Sequence, residues 1–235
     1  MTTLVSSTAY AVSKFMASSG HNIKRSHISE VLAAMLGYQT YAALVIEESN
    51  DDLEHHLDDA EMLVLNQAAA EQRANALGIT AVPLLLQTCI SAMQGSTTTP
   101  VYEDLDHFYD SYGREALIDT ISSSDDVSAA MSETNAYFDS DPELPEETPA
   151  TTDLWTERDS WSIEARGEMQ GSHDVESDRM FAGDTLNCFA KLTFTKAGRS
   201  GLILTDSEGY GGVDDSWQVA DRDDEAAYMA SLEGQ

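Results

Sequence analysis

LNCFAKLTF, residues 186–194, sets Leu186, Cys188, Ala190, Leu192 and Phe194 in one phase and Asn187, Phe189, Lys191 and Thr193 in the other. Successive side chains of a strand point to opposite faces, so this period of two predicts a half-buried strand. AGRSG at 197–201 follows, and then LILT at 202–205, an order that predicts a turn leading into a further strand. Upstream, Trp161, Ile163, Ala165 and Met169 alternate with Ser162, Glu164, Arg166 and Glu168, which predicts a partner strand. The last third of the chain is therefore expected to form a small antiparallel sheet.

The N-terminal part has a different period. Leu4, Val5, Ala9, Val12, Phe15 and Met16 recur at helical spacing up to Gly20. Ser26 is the expected N-cap of a second helix that turns Ile28, Val31, Leu32 and Met35 inward and stops at Gly37. Thr40 is placed to cap a third, with Ala42, Leu44, Val45 and Ile46 inward. A long helix is predicted from Asn50 or Asp51 to Leu77, where Leu53, Leu57, Ala60, Val64 and Ala68 keep the 3.6-residue period. Pro83 suits the first position of the next, which buries Leu84, Leu85, Cys89, Ile90 and Met93. Shorter helices are predicted over 103–112, 114–121 and 125–137, the last capped by Ser124. DSDPELPEETPATTD, 139–153, with three prolines and six acids, reads as an exposed linker. The fold class is α+β, a helical N-terminal part followed by a small antiparallel β-sheet domain. Its expected divisions are helices over 1–138 (a small module at 1–48, acidic helices at 49–138), the linker, and a β domain over 154–235 with a short C-terminal helix.

Charge narrows the function. The 235 residues hold 42 Asp and Glu against 12 Lys and Arg, a formal net charge of −30. Broad binding to a phosphate backbone needs a Lys/Arg surface, and adhesion to anionic lipid needs the same, so both are excluded as general modes. No apolar run approaches the ~20 residues of a membrane span. The start, MTTLVSSTAYAVSKFMASSGH, lacks the basic segment and apolar block of a secretory signal, and the two cysteines are expected to be buried free thiols. A cytoplasmic location is expected. The acidity peaks between residues 101 and 150, where fourteen acids face Arg114 alone.

GHNIKRSHISEVLAAMLGYQTYAAL, residues 20–44, holds Ser26, His27, Ala33, Gly37, Tyr38, Tyr41 and Leu44 at a recognisable spacing. It resembles a short N-terminal helical module of bacterial glyoxalase-related proteins and of plasmid or integrative-element proteins. The resemblance covers about a tenth of the chain. It implies a compact helical unit and a mobile-element origin, and it carries over no catalytic residue.

No motif supports chemistry. His55 and His56 are adjacent, and neighbours on a helix diverge by ~100°, so they cannot share one ion. DSDPE and VADRDDE lack the central Gly and terminal Glu of a calcium loop. EGYGG at 208–212 reads as a turn. No nucleophile elbow or Cys/His ligand spacing is present, so no catalytic residue, metal ligand or cofactor is assigned, and the chain is expected not to be an enzyme. What remains is a row of carboxylates: Glu103, Asp104, Asp106, Asp110, Asp125, Asp126 and Glu133. A duplex carries roughly one charge per 1.7 Å of axis, and spaced carboxylates can occupy a basic channel in its place. The expected partner is a basic nucleic-acid-handling protein, such as a restriction or CRISPR nuclease, whose nucleic-acid site this chain would block. The alternative is a DNA-binding regulator or plasmid accessory protein that uses Lys14, Lys24, Arg25 and His27 of a helix-turn-helix-like module.

Overall fold

The computed structural model describes residues 2–150, 152–173 and 181–216. Helices dominate the N-terminal part and the sheet is mostly antiparallel, an α+β fold. In chain order the helices are α1 (Thr2–Ser18), α2 (Arg25–Met35), α3 (Tyr41–Glu48), α4 (Gln67–Ala76), α5 (Val82–Gln94), α6 (Leu105–Phe108), α7 (Arg114–Ser122) and α8 (Asp125–Glu133). The strands are β1 (Met62–Val64), β2 (Val101–Tyr102), β3 (Ala136–Tyr137), β4 (Ser160–Gln170), β5 (Ser172–His173), β6 (Thr185–Ala197) and β7 (Gly201–Val213). One sheet has the order β2-β1-β7-β6-β4, and β3 pairs with β5 in a second. The short C-terminal helix expected from sequence and the VADRDDE stretch lie outside the described residues.

Contacts divide the chain into two compact units. The first comprises Met1–Gly113, Glu147–Ile163 and Leu192–Asp206; the second, Arg114–Glu146, Glu164–Lys191 and Ser207–Gln235. In the first, α2 packs on α1 and α4, and α1 on α5. Val5, Val12, Met16, Ile28, Leu32, Leu44 and Leu85 are fully buried there, each contributing roughly 1.5–3 kcal/mol by leaving water. Gly37 ends α2 with a φ of 82°, a left-handed conformation that glycine adopts without a side-chain penalty. An aromatic cluster completes this unit: Phe108 meets Tyr102, Trp161 and Phe194 edge-on, with ring centres 5.3–6.0 Å apart.

Several expectations change. Residues 51–77 are not one helix. Asp59 accepts from the His56 amide at 2.8 Å and closes a 3-10 turn over Leu57–Asp59. MLVL at 62–65 is buried throughout, and β1 pairs in parallel with Val101–Tyr102 and antiparallel with Gly201–Leu202. A buried apolar run fits a helix or an inner strand equally well by pattern, and here two ready ladders decide. The predicted helix over 103–112 is α6 followed by a π turn at Tyr109–Gly113, and that over 125–137 ends at Glu133. Lys24, not Ser26, is the N-cap of α2, with no side-chain cap bond. Thr40 and Ser124 do cap, accepting from Ala43 and Val127. Ile46 is 72% exposed and Phe15 49%, so the inward face of each helix is narrower than its apolar stripe. EGYGG continues β7 and makes no turn.

In the second unit Gly209 faces the Thr120 carbonyl and Gly211 faces Val127, and a Cβ at either place would collide. The glycines let α7 and α8 approach the strand backbone, and the Ser124 hydroxyl donates to the Gly209 carbonyl at 2.7 Å. The middle of the expected linker is docked rather than free. Leu144 is 5% exposed, and Glu143 exchanges backbone hydrogen bonds with Glu168 on β4.

Candidate functional site

Two places concentrate charge. The first is the acidic run of the second unit. Between Arg114 and Glu146 all nine carboxylates, Glu115 and Asp119 on α7 among them, are exposed. Arg114 is the one base of that run, and its guanidinium donates to the Leu144 carbonyl at 3.3 Å rather than to an acid. Among the described residues none of the nine has a cation within ion-pair distance. Asp125 and Asp126 stand in the first turn of α8, and Glu133 is its last residue. At 1.5 Å rise per residue the two ends lie roughly 10–12 Å apart along the axis. The other expected acids sit in the first unit and are more engaged. Asp104 caps α6 by accepting from His107 at 2.8 Å, Asp106 accepts from the Thr148 hydroxyl at 2.7 Å, and Glu103 and Asp104 are half-buried. Asp106 and Asp110 are exposed.

The basic N-terminal residues are engaged in different ways. Arg25 donates to the Ser6 carbonyl at 3.0 Å with its guanidinium 5.9 Å from the Tyr10 ring centre, which ties α2 to α1. Lys24 and His27 line a hollow of about 410 Å³ with His21 and residues 77–81; Lys14 stays outside it, exposed on α1.

The second place lies in the first unit, where α3 meets the turn between β6 and β7. Arg199 donates from Nε and a terminal nitrogen to the Glu47 carboxylate at 3.0–3.3 Å, and its guanidinium lies 5.2 Å from the Tyr38 ring centre. Hydrogen bonds to Glu47 raise the Arg199 pKa further. Tyr38 donates its hydroxyl to Glu48 at 2.8 Å, and the Leu57 amide donates to the same carboxylate at 3.2 Å. His56 Nδ1 stands 3.4 Å from Glu48 with 3% of that carboxyl exposed. Burial lifts the Glu48 pKa above its usual value although Tyr38, Leu57 and His56 pull it down, Glu47 adds to the rise, and burial lifts Tyr38 as well. Gly198, at φ 62°, makes room: a Cβ there would meet the Glu48 carboxylate, Leu57 and the Tyr38 hydroxyl.

Beside this network opens a cleft of about 460 Å³ between the 47–55 segment, residues 157–159 and the turn. Lys196 lines it while only 4% exposed, its Nζ donating to the Arg199 carbonyl at 2.7 Å. Burial lowers the amine's pKa to about 7, against the opposing pull of Asp153 and Glu157. The sequence held a signal for it: Lys196 continues the inward phase of Leu192 and Phe194, where a lysine is out of place. Tyr38, Glu48 and His56 carry no such mark.

The remaining features are modest. His55 and His56 sit in a loop, not on a helix, and no three His, Cys, Asp or Glu side chains are grouped to hold a metal among the described residues. Cys89 and Cys188 are free and buried. Arg166 covers the Phe189 ring at 5.8 Å, and Phe189 stacks on Tyr210. No helix among the described residues is long and apolar enough to cross a membrane. Comparison with known protein families, curated proteins and solved structures finds no match to this chain.

Proposed function

We propose that this chain is an acidic recognition protein that docks on the cationic groove of a nucleic-acid-handling protein and keeps nucleic acid out of it. One observation carries the reading: nine exposed carboxylates over residues 114–146, none of which has a cation within ion-pair distance among the described residues. Carboxylates left unpaired keep their field for a partner, where it accelerates encounter and weakens with salt. Enough basic groups are present elsewhere to show that pairing is available to this chain, since Glu30 and Glu47 hold arginines. The reading assigns the chain no reaction and no cofactor.

The test is competitive. The chain is used to capture a basic nucleic-acid-binding protein from a host lysate, and the identified protein is then titrated with labelled duplex in the presence of the chain. Stoichiometric loss of duplex binding is expected, with recovery when Asp119, Asp125, Asp126 and Glu133 are changed to Asn or Gln. A captured protein that still binds duplex normally, or a neutralised variant of undiminished potency, rejects the proposal. Tight duplex binding by the chain alone rejects it too and returns the case to Lys14, Lys24, Arg25 and His27.

A further inference from the structure

The cleft beside the β6–β7 turn belongs to the first unit, and nothing in the proposed recognition uses it. Its distinguishing group is the Lys196 amine. An ammonium carries three donors, yet among the described residues the amine has one hydrogen-bond acceptor, the Arg199 carbonyl. A buried ammonium with two unmet donors is costly, and a neutral amine with one bond and a lone pair is the better occupant of such a site. Asp153 and Glu157 exert a field on it without hydrogen-bonding to it. The side chain is nearly covered by protein, while the cleft that it lines is large enough for a few carbon and oxygen atoms.

We propose that Lys196 is a nucleophilic amine that captures a small aldehyde as an imine within this cleft. The nitrogen lone pair attacks the carbonyl carbon, and the C=O π pair moves to oxygen, giving a carbinolamine. Both nitrogen protons pass in turn to that oxygen, water leaves with the C–O pair, and the nitrogen lone pair closes the C=N bond; no redox partner is required. A native pKa of about 7 leaves about half the amine neutral at that pH, against about one part in a thousand or less for an ordinary lysine. The walls set the preference among aldehydes. Glu47, Glu54, Glu157 and Asp159 line the cleft with Arg158 and Arg199, of which Arg199 is paired with Glu47, an excess of negative charge once the amine is neutral. A cationic aldehyde is therefore favoured over an uncharged one, and a carboxylate-bearing aldehyde is disfavoured.

The chain contains four lysines, Lys14, Lys24, Lys191 and Lys196, which makes an internal competition direct. The folded protein is treated near neutral pH with betaine aldehyde, propionaldehyde or glyoxylate under cyanoborohydride, and each adduct is mapped by peptide mass spectrometry. Lys196 is expected to label at least tenfold faster than any other lysine, with betaine aldehyde ahead of propionaldehyde and glyoxylate last. In urea the four rates should converge, because the advantage belongs to the folded environment. Labelling that follows exposure, with Lys196 last, overturns the proposal, and so does a Lys196 lead that survives unfolding. Preference for glyoxylate overturns the assignment of the walls. Lys196→Met serves as the mass control, and the wild-type competition decides the question even where that variant fails to fold.

Discussion

The Tyr38 hydroxyl donates a 2.8 Å hydrogen bond to Glu48, a carboxyl held in the protein with 3% of its side chain exposed. Two residues ten apart in sequence thereby fix the end of α2 to the end of α3, and the Leu57 amide adds a third point to the same carboxylate. Burial wins over these donors, for the Glu48 pKa is raised. A carboxyl raised in the native state favours folding below its ordinary value and withdraws that support as pH rises through the native one. Tyr38→Phe removes a donor from the charged form, so it should widen that window and cost about 1–3 kcal/mol at neutral pH, less in acid. Urea unfolding near pH 4 and pH 7 checks it. An equal loss at both pH values would show that the hydroxyl acts by packing alone.

Gly198 tests the same network from the other side. Its φ of 62° already disfavours any side chain, and a Cβ would stand inside contact distance of Leu57 and of both members of the Tyr38–Glu48 bond. Gly198→Ala should destabilise by about 1–3 kcal/mol, more than the turn conformation alone accounts for. Glu48→Ala should lose stability alone but absorb part of the Gly198→Ala penalty, because it vacates the space. A double-mutant cycle that comes out additive would place the strain in the backbone and not in the network.

What the sequence disclosed follows a physical division. β4, β6 and the AGRSG turn were legible because one solvated face imprints an alternation on each strand and a left-handed turn demands glycine. β1 was not, since Met62, Leu63, Val64 and Leu65 are buried on every side and leave no periodicity to read. The strap at 142–145 reads as exposed from its Pro and Glu, whereas Leu144 supplies an anchor and Gly167 the space beneath Glu143. Among the acids, composition locates the run but does not separate Asp104, which serves α6 as a cap, from Asp125, which stands exposed in the first turn of α8. Glu115 and Asp119 carry no mark that sets them apart, for the same reason. The Lys196 cleft joins segments nearly 150 residues apart, and only the lysine in an inward phase betrayed it.

Lys196 carries a pH signature of its own. Its native pKa lies at about 7 against an ordinary 10.5, so between those values the unfolded chain binds more protons than the native one. Stability should therefore rise with pH across that window, and the burial penalty is fully present below about 7. Lys196→Met removes the titration and leaves the Arg199 carbonyl without its donor. The net expectation at pH 6 is a gain on the order of 1–2 kcal/mol, shrinking to nothing or reversing toward pH 9.5. Denaturant curves at three pH values measure it, and a variant that tracks the wild type at every pH would show the amine to be charged and well solvated in the native state.

Recognition and folding pull apart on α8. Asp125 and Asp126 occupy its first turn, where negative charge meets the positive end of the helix dipole, and Glu133 occupies its last turn, where the interaction is unfavourable. Asp125→Asn should cost about 0.3–1 kcal/mol and Glu133→Gln should add a similar amount, both effects fading in molar salt. Each change removes one unit of charge from the same exposed helix. If that helix is part of the surface a cationic partner reads, both variants lose affinity to a similar extent although their melting temperatures move in opposite directions. Affinity that follows the melting temperature instead would mean that the partner senses the integrity of α8 rather than its charge, and the carboxylates would then be a property of the fold alone.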